Sequence, residues 1–469
     1  MTVKKRIEEF EKNLAYKEHI DNAAFQRGHM LDRMNFHKVP AVSVAAIDDY
    51  EIQWAKGYGT LSRESDIKVN EDTLFQAASM SKPVFAVAVM RLVEQGILDL
   101  DEDVNTYLTS WKVPANGSWQ PRITLRQLLS HTAGVTVSGF AGYNVDADKP
   151  TVIEILDGKG SSNSDPIRVN LIPGTKFRYS GGGYTIAQQA VVDVLNKSFP
   201  EIMKEMVLEP MGMEKSVFAQ PLPDSLKEQV PKGYGWHDAE VNGGHHVYPE
   251  MAAAGLWTTA TDMAKFGITM QKILNGKADG ILKKISLEEM LKLQAGSDDM
   301  GLGFKLEGEN NDLRFGHTGC NVGFGCQMIF YNDGGKGAVV MINSEGFAVI
   351  QESMYGLADV YDWEGFVPQV EERETNLEMK VYAGTYISDH AMNIKIQNKG
   401  DQLYMSLENQ SPIELVPMDR NKFKSLQVNA EVEFCFDGKS ITALNIYQEG
   451  AKIPYRKHKV VSFKQPIGR

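Results

Sequence analysis

Cysteine is scarce in this chain. Cys320, Cys326 and Cys435 are the only three in 469 residues, an odd number without a zinc-like spacing. That argues against a disulfide framework and fits a reducing compartment, so a cytoplasmic location is expected. No run of eighteen apolar residues occurs, so no membrane-spanning helix is expected. The stretch Met1 to Phe10 turns acidic and amphipathic at once and holds no apolar leader core, so no secretory signal is expected either. Positive charge is in deficit, with 49 Lys and Arg against 61 Asp and Glu, a net charge of −12. This argues against a nucleic-acid partner. The basic stretch from Lys452 to Lys464 is interleaved with apolar residues and reads as one strand with a solvated face. Metal motifs are missing too. His245 and His246 are adjacent, which does not give a zinc-binding face, and there is no His-Glu-x-x-His. No metal or other cofactor is expected. No Gly-x-Ser-x-Gly is present, so a nucleophile elbow of the α/β-hydrolase kind is unsupported.

What is present is a soluble, globular composition, 42% hydrophobic and 23% charged, in a chain too long for one core. Helical spacing of Ile7, Phe10, Leu14 and Ile20 predicts a helix over 3–34, ended by Pro40. Residues 41–47 and 51–58 read as strands around the turn Asp48-Asp49-Tyr50. Residues 79–95 read as a helix apolar almost all round, hence buried, and stopped by Gly96. A short helix is predicted at 124–130, mostly loop at 135–178, and helix again at 181–208. Strands at 325–331 and 337–342 precede a helix at 346–361. Strands at both ends with helices between predict one sheet assembled from the two ends, an α/β (α+β) fold. After a linker over 364–376 the pattern changes to short alternating strands: Met392, Ile394 and Ile396, then Leu403, Met405 and Leu407, then Val432, Phe434 and Phe436. Turns at Asn398 to Asp401, Asp437 to Lys439 and Glu449-Gly450 separate them, predicting a small antiparallel β-barrel. The expected domains are 1–365 and 377–469.

Three segments carry candidate chemistry. Ser79 and Lys82 stand three apart at the head of the buried helix and so share one face. Serine needs a proton acceptor to become a nucleophile, and a desolvated lysine can be neutral enough to serve. The tetrapeptide alone also fits an N-capping serine beside a surface lysine. Tyr179, just before Ser180-Gly181-Gly182-Gly183, could present its phenol as an acid or base, or simply pack in a turn. In Gly316-His317-Thr318-Gly319-Cys320, an edge strand could offer the Cys320 N–H, with that of Ser79, to an oxyanion. His317 could carry a proton there or be an ordinary loop histidine. Phe140 and Tyr143, and Tyr248 with Pro249, either border a pocket or cover core. His131 reads as closing a turn, and Asp101-Glu102-Asp103 as a solvated corner.

Together, Ser79-x-x-Lys82, Tyr179 about one hundred residues on, and His317-Thr318-Gly319 at a strand resemble the three motifs of the serine β-lactamase and penicillin-binding-protein superfamily. The likeness is to its class C-type branch of esterases, D-aminopeptidases, DD-peptidases and CubicO-like peptidases, and it covers about residues 38–345. Phe75 to Ala78, Leu92 to Asp101, Leu128 to Gly134 and Ala253 to Asp262 support it. The tail from Tyr382 is similar to the lipocalin-like domain often attached to this branch.

The resemblance implies a serine hydrolase forming a covalent acyl-enzyme on small amides, esters or peptides. Ser79 would be the nucleophile, Lys82 its base partner, and Tyr179 the second acid/base. His317 stands where β-lactamases usually have lysine and some DD-peptidases have histidine. Thr318 and Gly319 would contact substrate. Gly181 stands where the family often has asparagine and cannot make that residue's amide contact. A stalled acyl sensor and a transacylase are the alternatives. A homo-oligomer is left open.

Overall fold

The computed structural model describes residues 1–16, 26–235, 238–278, 280–366, 377–388, 393–400, 402–407, 412–425, 430–438, 440–448 and 451–458. Met392, Asp401, Lys439, Glu449-Gly450, most of the expected linker and the end of the basic tail lie outside them. The chain clusters into two compact units, the first built from Met1–Tyr16 and Gln26–Pro368.

The first unit begins with α1 (Val3–Lys12), closed by Asn13, whose side chain donates back to the Glu9 carbonyl. The expected helix over 3–34 is therefore broken. Leu14–Tyr16 is extended and pairs antiparallel with Gln26–Gly28, and a separate helix, Met30–Phe36, follows. Leu14 and Ala15 are buried in this strand, so long-range packing overrides the helical spacing. Residues 17–25 lie outside the described set.

Strands β1 (Ala41–Asp48) and β2 (Glu51–Gly59) form a hairpin. Then come the buried helix α2 (Ser81–Glu94), α3 (Gly181–Leu195) and α4 (Ala260–Leu274). The chain returns through β3 (Lys305–Glu307), β4 (Arg314–Asn321), β5 (Phe324–Tyr331) and β6 (Gly337–Ile342), and the last helix is α5 (Phe347–Val360). The six strands form one sheet in the order β2-β1-β6-β5-β4-β3. The two ends of the unit thus meet where β6 pairs with β1, Val340 opposite Val44.

Both faces of the sheet are covered. Ala41, Ala45 and Ile47 of β1 join the core that holds α2, α3 and α4, while Val42, Val44 and Ala46 face the core that holds α1 and α5. Alternate side chains of a strand point to opposite faces, so burial on both makes β1 read as a continuous apolar run. The segment expected to be helix over 181–208 divides at Asn196, which takes a left-handed φ of 47° and ends α3. Phe199–Met203 and a π turn over Lys204–Leu208 follow.

The second unit is a closed barrel of eight strands, β7 (Gly384–Ile387), β8 (Ile394–Lys399), β9 (Gln402–Leu407), β10 (Ile413–Pro417), β11 (Lys422–Ser425), β12 (Ala430–Asp437), β13 (Ser440–Gln448) and β14 (Ala451–Lys457). Each pairs antiparallel with the next, and β14 closes on β7. Ile394, Ile396, Leu403, Met405, Val432 and Phe434 fill its core, which is the inward half of the predicted alternation. Gly400 and Gly438 take positive φ in the connecting turns, as glycine allows.

Candidate active site

Ser79 sits in a 3-10 turn, Ala78–Met80, that leads straight into α2. Ala78 has a φ of 45°, an uncommon conformation for a residue with a β-carbon. Ser81 secures this strained turn. Its hydroxyl donates to the Ala78 carbonyl at 2.6 Å and accepts the Leu256 N–H at 3.0 Å. Strain concentrated beside a candidate nucleophile is a known signature of functional turns.

Lys82, one turn on, is 2% exposed. Its Nζ donates to Ser79 Oγ at 2.9 Å and to the Ala253 carbonyl at 2.8 Å. It lies 5.0 Å from the Tyr179 ring centroid and 5.5 Å from that of Tyr184. Among the described residues no carboxylate pairs with it. Burial therefore acts unopposed and lowers the ammonium from 10.5 to about 7. The Ala253 carbonyl is itself held, because Gln188 of α3 accepts the Ala252 N–H and donates to the Pro249 carbonyl.

Tyr179 is half-buried just ahead of α3, whose N-cap is Ser180, the Ser180 hydroxyl accepting the Gly183 N–H at 2.9 Å. Its ring faces His131 at 4.2 Å and His317 at 6.2 Å between centroids. The buried His317 places Nδ1 2.5 Å from the Thr318 carbonyl, so Nδ1 donates and Nε2 keeps its lone pair. Burial, then the nearby Lys82, lowers this imidazole to about 3. It is neutral at physiological pH.

Strand β4 was expected to be an edge strand, and it is one only in part. β3 covers Arg314–Gly316 and leaves the rest of that side open. Asn321 pairs with Phe324 across the two-residue loop Val322-Gly323, so this closing pair exchanges hydrogen bonds. Counting back from it, Cys320 and Thr318 turn their N–H and carbonyl groups to the uncovered side. Ser79 lies against this strand, since a β-carbon at Gly319 would stand 3.0 Å from the Ser79 nitrogen and 2.5 Å from the Ala77 carbonyl. Only glycine permits that approach. The side chains of Thr318 and Cys320 are exposed.

The other expected residues are less central. Phe140 packs against Gly181, where a β-carbon would lie 3.0 Å from its ring edge. Tyr143 and Tyr248 were expected either to border a pocket or to cover core. Both are buried with engaged hydroxyls: Tyr143 accepts the Asn163 N–H, and Tyr248 accepts the Val322 N–H at 3.0 Å. They build the wall beneath the surface, because a large ring with one polar tip is stable inside once that tip is bonded. Tyr143–Asn144 also pairs with His246–Val247.

Sequence reasoning missed three contributors. Gln76 bridges Asn321 and the His246 carbonyl under the site. Glu250 is fully buried with neither carboxyl oxygen hydrogen-bonded among the described residues, and burial raises it to about 8. His131, read as a turn residue, lies directly on Tyr179. The signal for it was its place in Leu128 to Gly134, a segment already singled out.

Comparison with known proteins agrees with this geometry. The Beta-lactamase family model matches residues 27–360. Penicillin-binding protein 4* of Bacillus subtilis (strain 168) is 23% identical over 423 residues, 84% of this chain and 90% of that protein. Esterase EstB of Burkholderia gladioli is 27% identical over 221 residues, 42% of this chain and 56% of the esterase. Among solved structures, the octameric penicillin-binding protein homologue from Pyrococcus abyssi shares the fold with a TM-score of 0.63 at 22% identity, covering 91% of this chain and 98% of that one. The D-amino acid amidase from Ochrobactrum anthropi SV3 does so with a TM-score of 0.57 at 22% identity, covering 71% and 96%. With its family model matched across residues 27–360, well over half its length, the chain belongs to the Beta-lactamase family.

Proposed function

We propose that this protein is a serine hydrolase that acts on small ester, amide or peptide substrates through a covalent acyl-enzyme. One observation carries the reading: Lys82 Nζ lies 2.9 Å from Ser79 Oγ, buried and, among the described residues, without a carboxylate partner. A lysine at about 7 is half neutral near physiological pH and can accept the serine proton. Ser79 then attacks the carbonyl carbon, and the N–H groups of Ser79 and Cys320 stabilise the oxyanion. Tyr179, the second acid/base, donates its phenol proton to the leaving group and is reprotonated by the Lys82 ammonium, and water repeats the sequence on the acyl-enzyme ester. His317 acts as a neutral partner, because its imidazole is unprotonated well above pH 3. Thr318 and Gly319 offer the backbone rim against which substrate lies, and Phe140 an apolar wall beside Gly181.

The relatives named for esterase and amidase activity support this substrate range. Unpaired cysteines support a cytoplasmic location. The eight-strand meander supports a lipocalin-like assignment for 377–469 and a division after 1–365. The octameric relative supports a homo-oligomer, which light scattering tests.

The test is labelling with a fluorophosphonate alongside turnover of p-nitrophenyl esters, D- and L-amino-acid amides and nitrocefin. Wild type should label once and turn over at least one class, and Ser79→Ala should do neither. Equal labelling of Ser79→Ala would overturn the assignment.

A further inference from the structure

We propose that His131 is a positioning residue for Tyr179, gripping the chain on both sides of it and supporting the face of its ring. The proposal rests on the reading of Ser79 as nucleophile and Tyr179 as acid/base.

Three contacts converge on the one histidine. Its carbonyl accepts the Arg178 N–H at 2.8 Å. Its Nδ1 accepts the Ser180 N–H at 3.0 Å. Its ring lies 4.2 Å from that of Tyr179 with an interplanar angle of 31°. The residue before Tyr179, the residue after it and the phenol itself are thus all held by His131. The histidine is in turn fixed. It is 2% exposed, and the Tyr184 ring flanks it at 5.2 Å. Tyr184 donates its hydroxyl to the Leu129 carbonyl. His131 also takes a φ of 59°, a left-handed conformation uncommon for a residue with a β-carbon.

The protonation state follows from the geometry. A backbone N–H only donates, so Nδ1 holds a lone pair and the neutral ring carries its proton on Nε2. Nε2 is buried with no hydrogen-bond partner among the described residues. The titratable groups around it are Lys82 from α2, His317 from β4, and Tyr179 and Tyr184 at and within the start of α3. Burial, then the nearby Lys82, keeps His131 far below the ordinary imidazole range. The ring therefore serves as a fixed, neutral acceptor and platform and not as a proton carrier.

Two substitutions in the full chain separate its parts. His131→Phe keeps a flat ring and loses the acceptor. His131→Asn keeps an acceptor near the Nδ1 position and loses the ring. Each should lower kcat for a p-nitrophenyl ester by on the order of 100-fold, counted per phosphonate-labelled Ser79, with KM little changed. The pH dependence of kcat should shift as well, which a smaller folded fraction would not produce. Values of kcat and a pH profile within about twofold of wild type in both variants would overturn the proposal. If neither variant folds, nitrogen-15 histidine spectra of the wild-type chain decide the point. A hydrogen-bonded, unprotonated Nδ1 and a protonated Nε2 support it, and a protonated Nδ1 contradicts it. Failure of wild type to label at Ser79 would instead refute the hydrolase reading and leave the nitrogen measurement standing.

Discussion

Arg33 and Lys82 are both buried cations, yet their surroundings differ completely. Arg33, 7% exposed, donates from Nε and one terminal nitrogen to the two oxygens of Glu352, each at 2.8 Å, and His37 shares that carboxylate. Burial alone would raise the Glu352 carboxyl, but the hydrogen bonds from Arg33 and His37 outweigh it and hold it below the ordinary range. Lys82, more deeply buried, donates to a hydroxyl and a carbonyl and, among the described residues, pairs with no carboxylate. The first arrangement keeps both charges and ties Met30–Phe36 to α5. The second removes the charge and leaves a base beside a serine. A buried cation with a counter-charge is architecture, and one without it is reactive.

The comparison breaks most visibly at Lys82. Lys82→Met should reduce hydrolysis by about 10²- to 10⁴-fold, the range of a lost general base, while the chain stays folded. Ester turnover and thermal unfolding together check this. The paired cation should behave in reverse. Glu352→Gln leaves Arg33 buried opposite a neutral amide and should cost about 3–5 kcal/mol of stability, with activity per folded molecule unchanged. Denaturant titration reads the loss.

A subtler consequence concerns pH. The native lysine sits at about 7 against an ordinary 10.5, so between these values the unfolded chain binds a proton that the native state does not. Stability should therefore rise with pH across that window, with the full penalty present below it. Lys82→Met should lose this slope, and Glu352→Gln should keep it. The smallest effect is expected at Cys320, whose side chain is exposed and whose proposed role belongs to its backbone N–H. Cys320→Ser should leave kcat/KM within about twofold, in line with surface substitutions.

Legibility from sequence followed the range of the forces. The apolar α2, the alternation in β8 and β12, and the two-ended sheet were readable because periodicity records which face is buried. The Ser79 to Lys82 spacing was readable because a helical turn converts sequence separation into proximity. The break at Asn13 was not, since Leu14 is held extended by pairing with Gly28 and by packing beyond its neighbours. The partial cover of β4 depends on where a three-residue strand ends, which no local pattern marks. His131 lies nearly fifty residues from Tyr179, and only the fold brings the two rings together. The sequence left Tyr248 open between pocket border and core cover, because an aromatic bordering a pocket and one beneath it have the same sequence.

The most direct test of the central claim is the rate of phosphonate labelling at Ser79 as a function of pH, in wild type and in Lys82→Met. A neutral lysine as base predicts a rate that climbs with pH through a midpoint near 7 and a rising limb that disappears in the variant. A rate independent of pH, or the same limb in Lys82→Met, would contradict it.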